Sequence, residues 1–166
     1  MFKRAFSATT HRLPTKSPGR MRSDLAEAGA EPLRVGPEVN ERVRWRDVDI
    51  MGVVHYGNYL RFMEAAESEF FRALGFPYPV LAEQHGVWIA RVHLECDYRA
   101  PARLDEEIVC RAELRKIGGS SMTFGFPIAR TDGTPLVDGL LVLAALDRTT
   151  LRATRLPKPL VEALSG

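Results

Sequence analysis

Apolar and polar residues alternate along most of this chain, and one stretch replaces the alternation with a helical period. Val39, Glu41, Val43 and Trp45 alternate with Asn40, Arg42, Arg44 and Arg46. Glu41 apart, this is the period of two that turns one side of a strand towards a core. Tyr59, Phe62, Met63, Ala66, Phe70, Ala73 and Leu74 then recur at helical spacing, with Arg61, Glu64, Glu67, Ser68 and Arg72 on the other side. The spacing predicts an amphipathic helix over 58–74, roughly 25 Å long. Asn58 stands as its N-cap and Gly75 as its stop, with Pro77 and Pro79 beyond.

The period of two then returns. Val92, Leu94, Cys96 and Tyr98 form one set, Ile108, Cys110, Ala112 and Leu114 a second, and Met122, Phe124, Phe126 and Ile128 a third. Pro127 inside the third predicts an edge or a bulge. Gly118-Gly119 and Asp132-Gly133 are hairpin signals. The last run, 136–146, is apolar on both faces, as in a central strand or one lying between a helix and a partner chain. A short helix is expected after Pro157.

Strand, long helix, then four strands joined by tight turns is an α+β order, not alternating βαβ. One helix covers one sheet face. The doubly apolar last strand therefore predicts a second copy of the chain against the sheet.

The length of 166 residues, with 45% hydrophobic and 27% charged positions, gives one domain with a core that needs no staples. Residues 1–37 carry Pro14, Pro18, Pro32 and Pro37 with no sustained apolar period and read as a flexible extension before a domain over 38–166. Their first 23 residues hold six of the 23 lysines and arginines and no acid, which leaves 17 basic against 21 acidic residues, a net of −4, in 24–166. The domain is thus mildly acidic, which argues against nucleic acid as a partner. The basic, hydroxylated start has the composition of a mitochondrial transit peptide, and equally of a bacterial tail or of a start misplaced ahead of Met21. The expected location is the cytoplasm, or the mitochondrial matrix if 1–23 are such a peptide. No apolar run approaches the ~20 residues of a membrane helix. Two cysteines, Cys96 and Cys110, make no disulfide framework and read as core thiols.

His11, His55, His85 and His93 lack metal-ligand spacing, and no GxGxxG, GxxxxGK[ST] or GxSxG motif occurs. No metal and no cofactor is expected. The informative stretch is Asp47-Val-Asp49-Ile-Met-Gly52-Val-Val-His55-Tyr56-Gly57-Asn58-Tyr59. It places a carboxylate, Asp49, between a strand end and a helix N-terminus whose free N–H groups suit an oxyanion. Gly52 and Gly57 let the backbone turn tightly there. A carboxylate facing N–H donors is a layout for attack on a carbonyl carbon. It is also how an Asp simply caps a loop.

The stretch resembles the hotdog-fold acyl-CoA thioesterases of the 4-hydroxybenzoyl-CoA thioesterase family. Their Asp-x-Asp-x-x-Gly-x-Val motif, two aromatic or His residues and x-Asn-Tyr are matched by Asp47, Asp49, Gly52, Val54, His55, Tyr56, Asn58 and Tyr59. Asp97-Tyr-Arg-Ala-Pro101, Asp138-Gly139 and Arg155-Leu-Pro157 extend the likeness over roughly 38–160. The resemblance implies a five-stranded antiparallel sheet wrapped around one long helix, in a homodimer or a homotetramer made of two such dimers. It implies an acyl-CoA substrate hydrolysed to free acid and coenzyme A. Asp49 would be nucleophile or general base, and the Tyr56 N–H would hold the carbonyl oxygen.

Beside that pair, His55 is a candidate to orient water, or a packed ring, and Gly57 and Asn58 line the turn. Glu64 on the helix is a rival carboxylate, or a solvated one. Arg99, Arg115 and Lys116, with Ser120 and Ser121, are candidates for the coenzyme A phosphates, and Arg103 and Arg130 are further basic positions; each is otherwise a solvated strand end. Two other readings stand. One is an acyl-CoA or lipid-binding module of the same fold without turnover. The other is an enoyl-CoA hydratase or dehydratase, for which His55 is the only nearby His.

Overall fold

The computed structural model describes residues 31–166. Its strands are β1 (Arg34–Val35), β2 (Val39–Arg42), β3 (Val87–Tyr98), β4 (Glu107–Cys110), β5 (Glu113–Ile117), β6 (Ser121–Arg130) and β7 (Pro135–Asp147). Its helices are α1 (Tyr59–Ala73), α2 (Tyr78–Gln84) and α3 (Lys158–Ser165). All seven strands join one antiparallel sheet in which β6 pairs with β7 on one side and with β5 and β4 on the other. β1 pairs with β5 and β2 with β4, while β3 pairs with β7 and ends the sheet. Since β4 and β5 lie along one strand row and β1 and β2 along the next, the seven segments make five rows around α1, the hotdog arrangement.

The sheet begins at Arg34, inside the stretch expected to be an extension; residues 1–30, including the basic start, lie outside the described residues. The strand expected from Val39 onward, β2, ends at Arg42, and Trp45–Asp47 turn as a 3-10 helix instead of continuing it. Pro127 sits in the central strand β6 and not at an edge. It faces the gap between β4 and β5, beyond the Cys110–Ile128 and Glu113–Gly125 pairs, where no ladder partner needs its missing N–H.

α1 lays Phe62, Met63, Ala66 and Phe70 on the sheet, where Phe70 meets Phe124 edge-on at 4.9 Å. Met63 fills the space over Gly139 of β7: a Cβ there would overlap its thioether. The odd-numbered residues of β7 thus face the helix, and Leu140, Val142, Ala144 and Leu146 are buried on the other face within the protomer itself.

Helix α2 has no counterpart in the sequence reading. It starts after Pro77 with Pro79 in its first turn, and in seven residues it has too few turns to show a period. Its packing changes the face of α1. Phe71 is buried against Tyr78, with ring centroids 5.5 Å apart, whereas Ala73 is exposed. Glu67, expected on the solvated side, is fully buried. Cys110 is buried and its thiol pushed up to about 12 by burial; Cys96 is half-buried, and both are free. Among the described residues no helix is long and apolar enough to cross a membrane.

Candidate active site

The turn between the first strand and α1 is built on Asp47. This side chain is 1% exposed and accepts bonds from the Arg44 N–H at 2.7 Å and from Arg61 Nε and Nη2 at 3.1 and 2.8 Å. Burial pushes its carboxyl up, but the Arg61 and Arg44 hydrogen bonds and the Arg61 and Arg46 charges outweigh that and hold it below the usual carboxylate range. The Asp47 carbonyl in turn accepts the His55 N–H and Asn58 Nδ2, each at 2.9 Å. Asn58 therefore caps nothing through its side chain; it ties the start of α1 back to Asp47.

Between those fixed points the chain makes a tight excursion. Val48 and Val54 bridge, and Asp49 N–H donates to the Val53 carbonyl at 2.9 Å. Gly52 lies at φ +73°, a left-handed turn position. Asp49 is half-buried. One of its oxygens accepts the Met51 N–H at 2.8 Å, and its other oxygen accepts no hydrogen bond among the described residues. Ile50, Met51 and Tyr56 around it are exposed.

Tyr56–Asn58 form one 3-10 turn leading into α1. The His55 carbonyl accepts the Asn58 N–H at 2.8 Å, and His55 Nδ1 accepts the Gly57 N–H at 3.2 Å. His55 is thus the cap of this turn, exposed, with Nε2 left for other partners. The Tyr56 N–H makes no hydrogen bond among the described residues, although its neighbours in the turn, Gly57 and Asn58, both donate. The carbonyl across its peptide is bonded, which fixes that plane and polarises the free N–H.

Beside this turn lies a cavity of about 280 Å³ lined by Val54, Tyr56, Tyr59, Tyr98, Arg99, Ala100 and Pro101. Asp49 stands outside its lining. Tyr59 is buried, with its hydroxyl accepting the Ala102 N–H at 3.0 Å and its ring 5.7 Å from that of Tyr98. Tyr98 donates to the Tyr56 carbonyl at 3.0 Å.

The remaining candidates lie elsewhere. A cleft of about 640 Å³ on the sheet face away from α1 includes Glu95, Asp97, Arg99, Arg115, Asp138 and Leu140 in its lining. Arg99 belongs to both cavities and pairs with Asp138 at 3.0 Å. Arg115 pairs with Glu113, Lys116 stands opposite Thr123, and Ser120 and Ser121 lie at the β5–β6 hairpin. Arg130 and Glu106 pair at 3.1 Å. Within one protomer, then, Asp49, His55, Tyr56, Gly57 and Asn58 share the turn before α1, Arg99 lines both the cavity beside Tyr56 and the cleft that Arg115 lines, and Lys116, Ser120 and Ser121 lie on β5, at the β5–β6 hairpin and at the start of β6.

Glu64 is exposed. Glu67, three residues on, is the carboxylate that α1 buries. Its Oε1 accepts from the Tyr78 hydroxyl and from Arg91 Nη2, the latter at 2.8 Å, and its Oε2 has no partner. Burial, only partly offset by Arg91, raises its carboxyl to about 7. No cluster of three His, Cys, Asp or Glu side chains able to hold a metal occurs among the described residues.

Residues 51–136 match the thioesterase superfamily. The chain is 29% identical over 120 residues, 72% of its length and 89% of the relative's, to the acyl-CoA thioester hydrolase YbgC of Escherichia coli O6:H1. It superposes with a TM-score of 0.72 on a hypothetical protein from Thermus thermophilus, with 32% identity, covering 77% of this chain and 96% of that one. A 1,4-dihydroxy-2-naphthoyl-CoA thioesterase from Synechocystis has the same fold, with a TM-score of 0.72 at 15% identity over 79% of this chain and 96% of that one.

Proposed function

The chain belongs to the thioesterase superfamily, and on that premise we propose that it hydrolyses acyl-CoA thioesters to free acid and coenzyme A at the turn before α1. The observation that carries the reading is the Tyr56 N–H. It is unbonded among the described residues, on a peptide fixed by the Asn58 N–H, seven residues after a carboxylate with one unengaged oxygen. The acyl-CoA thioester hydrolase name of the Escherichia coli relative points to the same substrate class.

In this reading the thioester carbonyl oxygen accepts the Tyr56 N–H, and negative charge gathers on it as the carbonyl carbon is attacked. One such donor supplies ~3–4 kcal/mol of transition-state stabilisation. Asp49 attacks directly, forming an acyl anhydride that water then opens, or takes a proton from a water that attacks in its place. In both routes the C–S bond breaks and coenzyme A leaves as the thiol. His55 Nε2 is placed to orient that water.

The site is completed by a second copy. β3 is a twelve-residue strand that pairs only with β7 among the described residues, and a long open edge with Trp88, Leu94 and Tyr98 exposed needs cover. Pairing of β3 with its symmetry mate makes a homodimer, in which Arg115, Lys116, Ser120 and Ser121 of one protomer serve the coenzyme A end of its partner's site. Sedimentation separates this dimer from a tetramer.

The test is release of free thiol from short, long and aromatic acyl-CoAs. Turnover by the wild type, with loss of ~10³-fold or more in Asp49→Ala, supports the reading. Saturable binding without thiol release would make the protein a binding module. Label in Asp49 after a single turnover in ¹⁸O-water identifies direct attack with water opening the anhydride at the Asp49 carboxyl carbon, and an acyl adduct on Asp49 in rapidly quenched enzyme identifies direct attack whichever carbonyl water opens.

A further inference from the structure

Tyr56 is 69% exposed, so packing does not hold it. What holds it is a set of hydrogen bonds to the two peptide planes that flank its Cα. The plane before it is fixed by the Asn58 N–H on the His55 carbonyl, at 2.8 Å. The plane after it has its N–H on His55 Nδ1, at 3.2 Å. Its carbonyl accepts the Tyr98 hydroxyl, at 3.0 Å. With both planes fixed, both soft dihedrals of Tyr56 are fixed. The other bonds that Gly57 and Asn58 send back along the chain go to residues 46–55, and Val54 just before them is tied to Ala102; the Tyr98 hydroxyl reaches the Tyr56 carbonyl itself from the end of β3.

We propose that Tyr98 is a positioning residue for the hydrolysis: by gripping the Tyr56 carbonyl it fixes the direction in which the Tyr56 N–H meets the substrate oxygen. This rests on the thioesterase reading and adds a residue to it. Tyr98 is placed for the task. It ends β3, its ring packs on the buried Tyr59 at 5.7 Å, and the next residue, Arg99, donates its N–H to the Leu136 carbonyl at 2.8 Å. Its hydroxyl is therefore carried by the sheet, whereas the competing anchor, His55, is an exposed ring. The Tyr98 phenol is held above its ordinary value by burial and by neighbouring Cys96, so it is a proton donor throughout the neutral range. The same residue lines the cavity beside Tyr56, so the edge strand and the oxyanion turn share one hydrogen bond at the mouth of the site.

Tyr98→Phe removes that bond and keeps the ring contact with Tyr59. For the variant, kcat of acyl-CoA thiol release is expected to fall ~10-fold with KM within about twofold. Its melting temperature should stay close to that of the wild type, and amide exchange at Gly57 and Asn58 should quicken. An unchanged kcat overturns the proposal. So does a rise in KM alone, which would make Tyr98 a lining residue and no more. A wild type inert on every acyl-CoA is a different failure, that of the thioesterase reading; the exchange rates then still report whether Tyr98 holds the turn.

Discussion

Asp47 and Arg61 meet in a two-pronged ion pair, with Nε 3.1 Å from one carboxylate oxygen and Nη2 2.8 Å from the other, and the third arm of the same guanidinium reaches Glu41 at 3.0 Å. The pair ties the turn that carries Asp49 to the first helical turn of α1. Asp47 is the buried member, and removing Arg61 takes away two of its three hydrogen bonds and its nearer charge partner, leaving the Arg44 N–H and the Arg46 charge. Arg61→Ala should cost about 3 kcal/mol in urea unfolding and lower kcat more than it raises KM. Arg61→Lys, which restores charge without the fork, should recover part of the stability and less of the activity.

The same pair sets an acid limit. The folded-state carboxyl of Asp47 lies below its unfolded value of 3.8, so its contribution is present above that pH and is lost as pH falls through the folded value. In Arg61→Ala the acid-unfolding midpoint should move to higher pH, as read by far-ultraviolet circular dichroism between pH 2 and 5.

Glu67 has the opposite sign. Its folded value is raised from 4.5 to about 7, so the folded state binds the extra proton between those limits. Stability from this site is present below pH 4.5 and is lost as pH rises through 7. Glu67→Gln keeps an acceptor for Tyr78 and cannot ionise. Its melting temperature should exceed that of the wild type by about 3 °C or more at pH 8, and the gap should close towards pH 5. An equal gap at both pH values would falsify the assignment.

A charge on the open edge should weaken the proposed dimer. Leu94→Glu places a carboxylate on an exposed position of β3, where the proposed pairing would set it near the copy of itself. Sedimentation equilibrium should show at least ~10-fold weaker association, with activity falling at protein concentrations where the wild type remains assembled.

The turn before α1 was legible because its signals are local. Asp49, Gly52, His55, Tyr56 and Asn58 lie within ten residues, and carboxylate, left-handed turn and helix start are all features of sequence spacing. The length of α1 and both hairpins were legible for the same reason. Glu67 was not. Helical period alone puts it beside Glu64 and Arg72 on a polar face, and only α2, a seven-residue helix behind two prolines, covers it. Tyr98 escaped for a related reason: alternation places it on a strand, but its partner is a backbone carbonyl 42 residues away, and no side-chain pattern records a main-chain acceptor. Pro127 shows the converse: of the edge or bulge that it signals, the sheet supplies the irregularity, a register shift against β7 between Ile128 and Ala129, and supplies it in a central strand. A break in a neighbouring strand accommodates it in the middle of the sheet as well as an edge would.

Gly139 has a further bearing on how such a protein can change. A Cβ at Gly139 would overlap the Cε and Sδ of Met63, so a larger residue there must first turn aside the flexible end of that one side chain. A shorter side chain at 63 would make the room that a side chain at 139 needs, so the two positions are expected to change as a pair, leaving the rest of the helix where it lies.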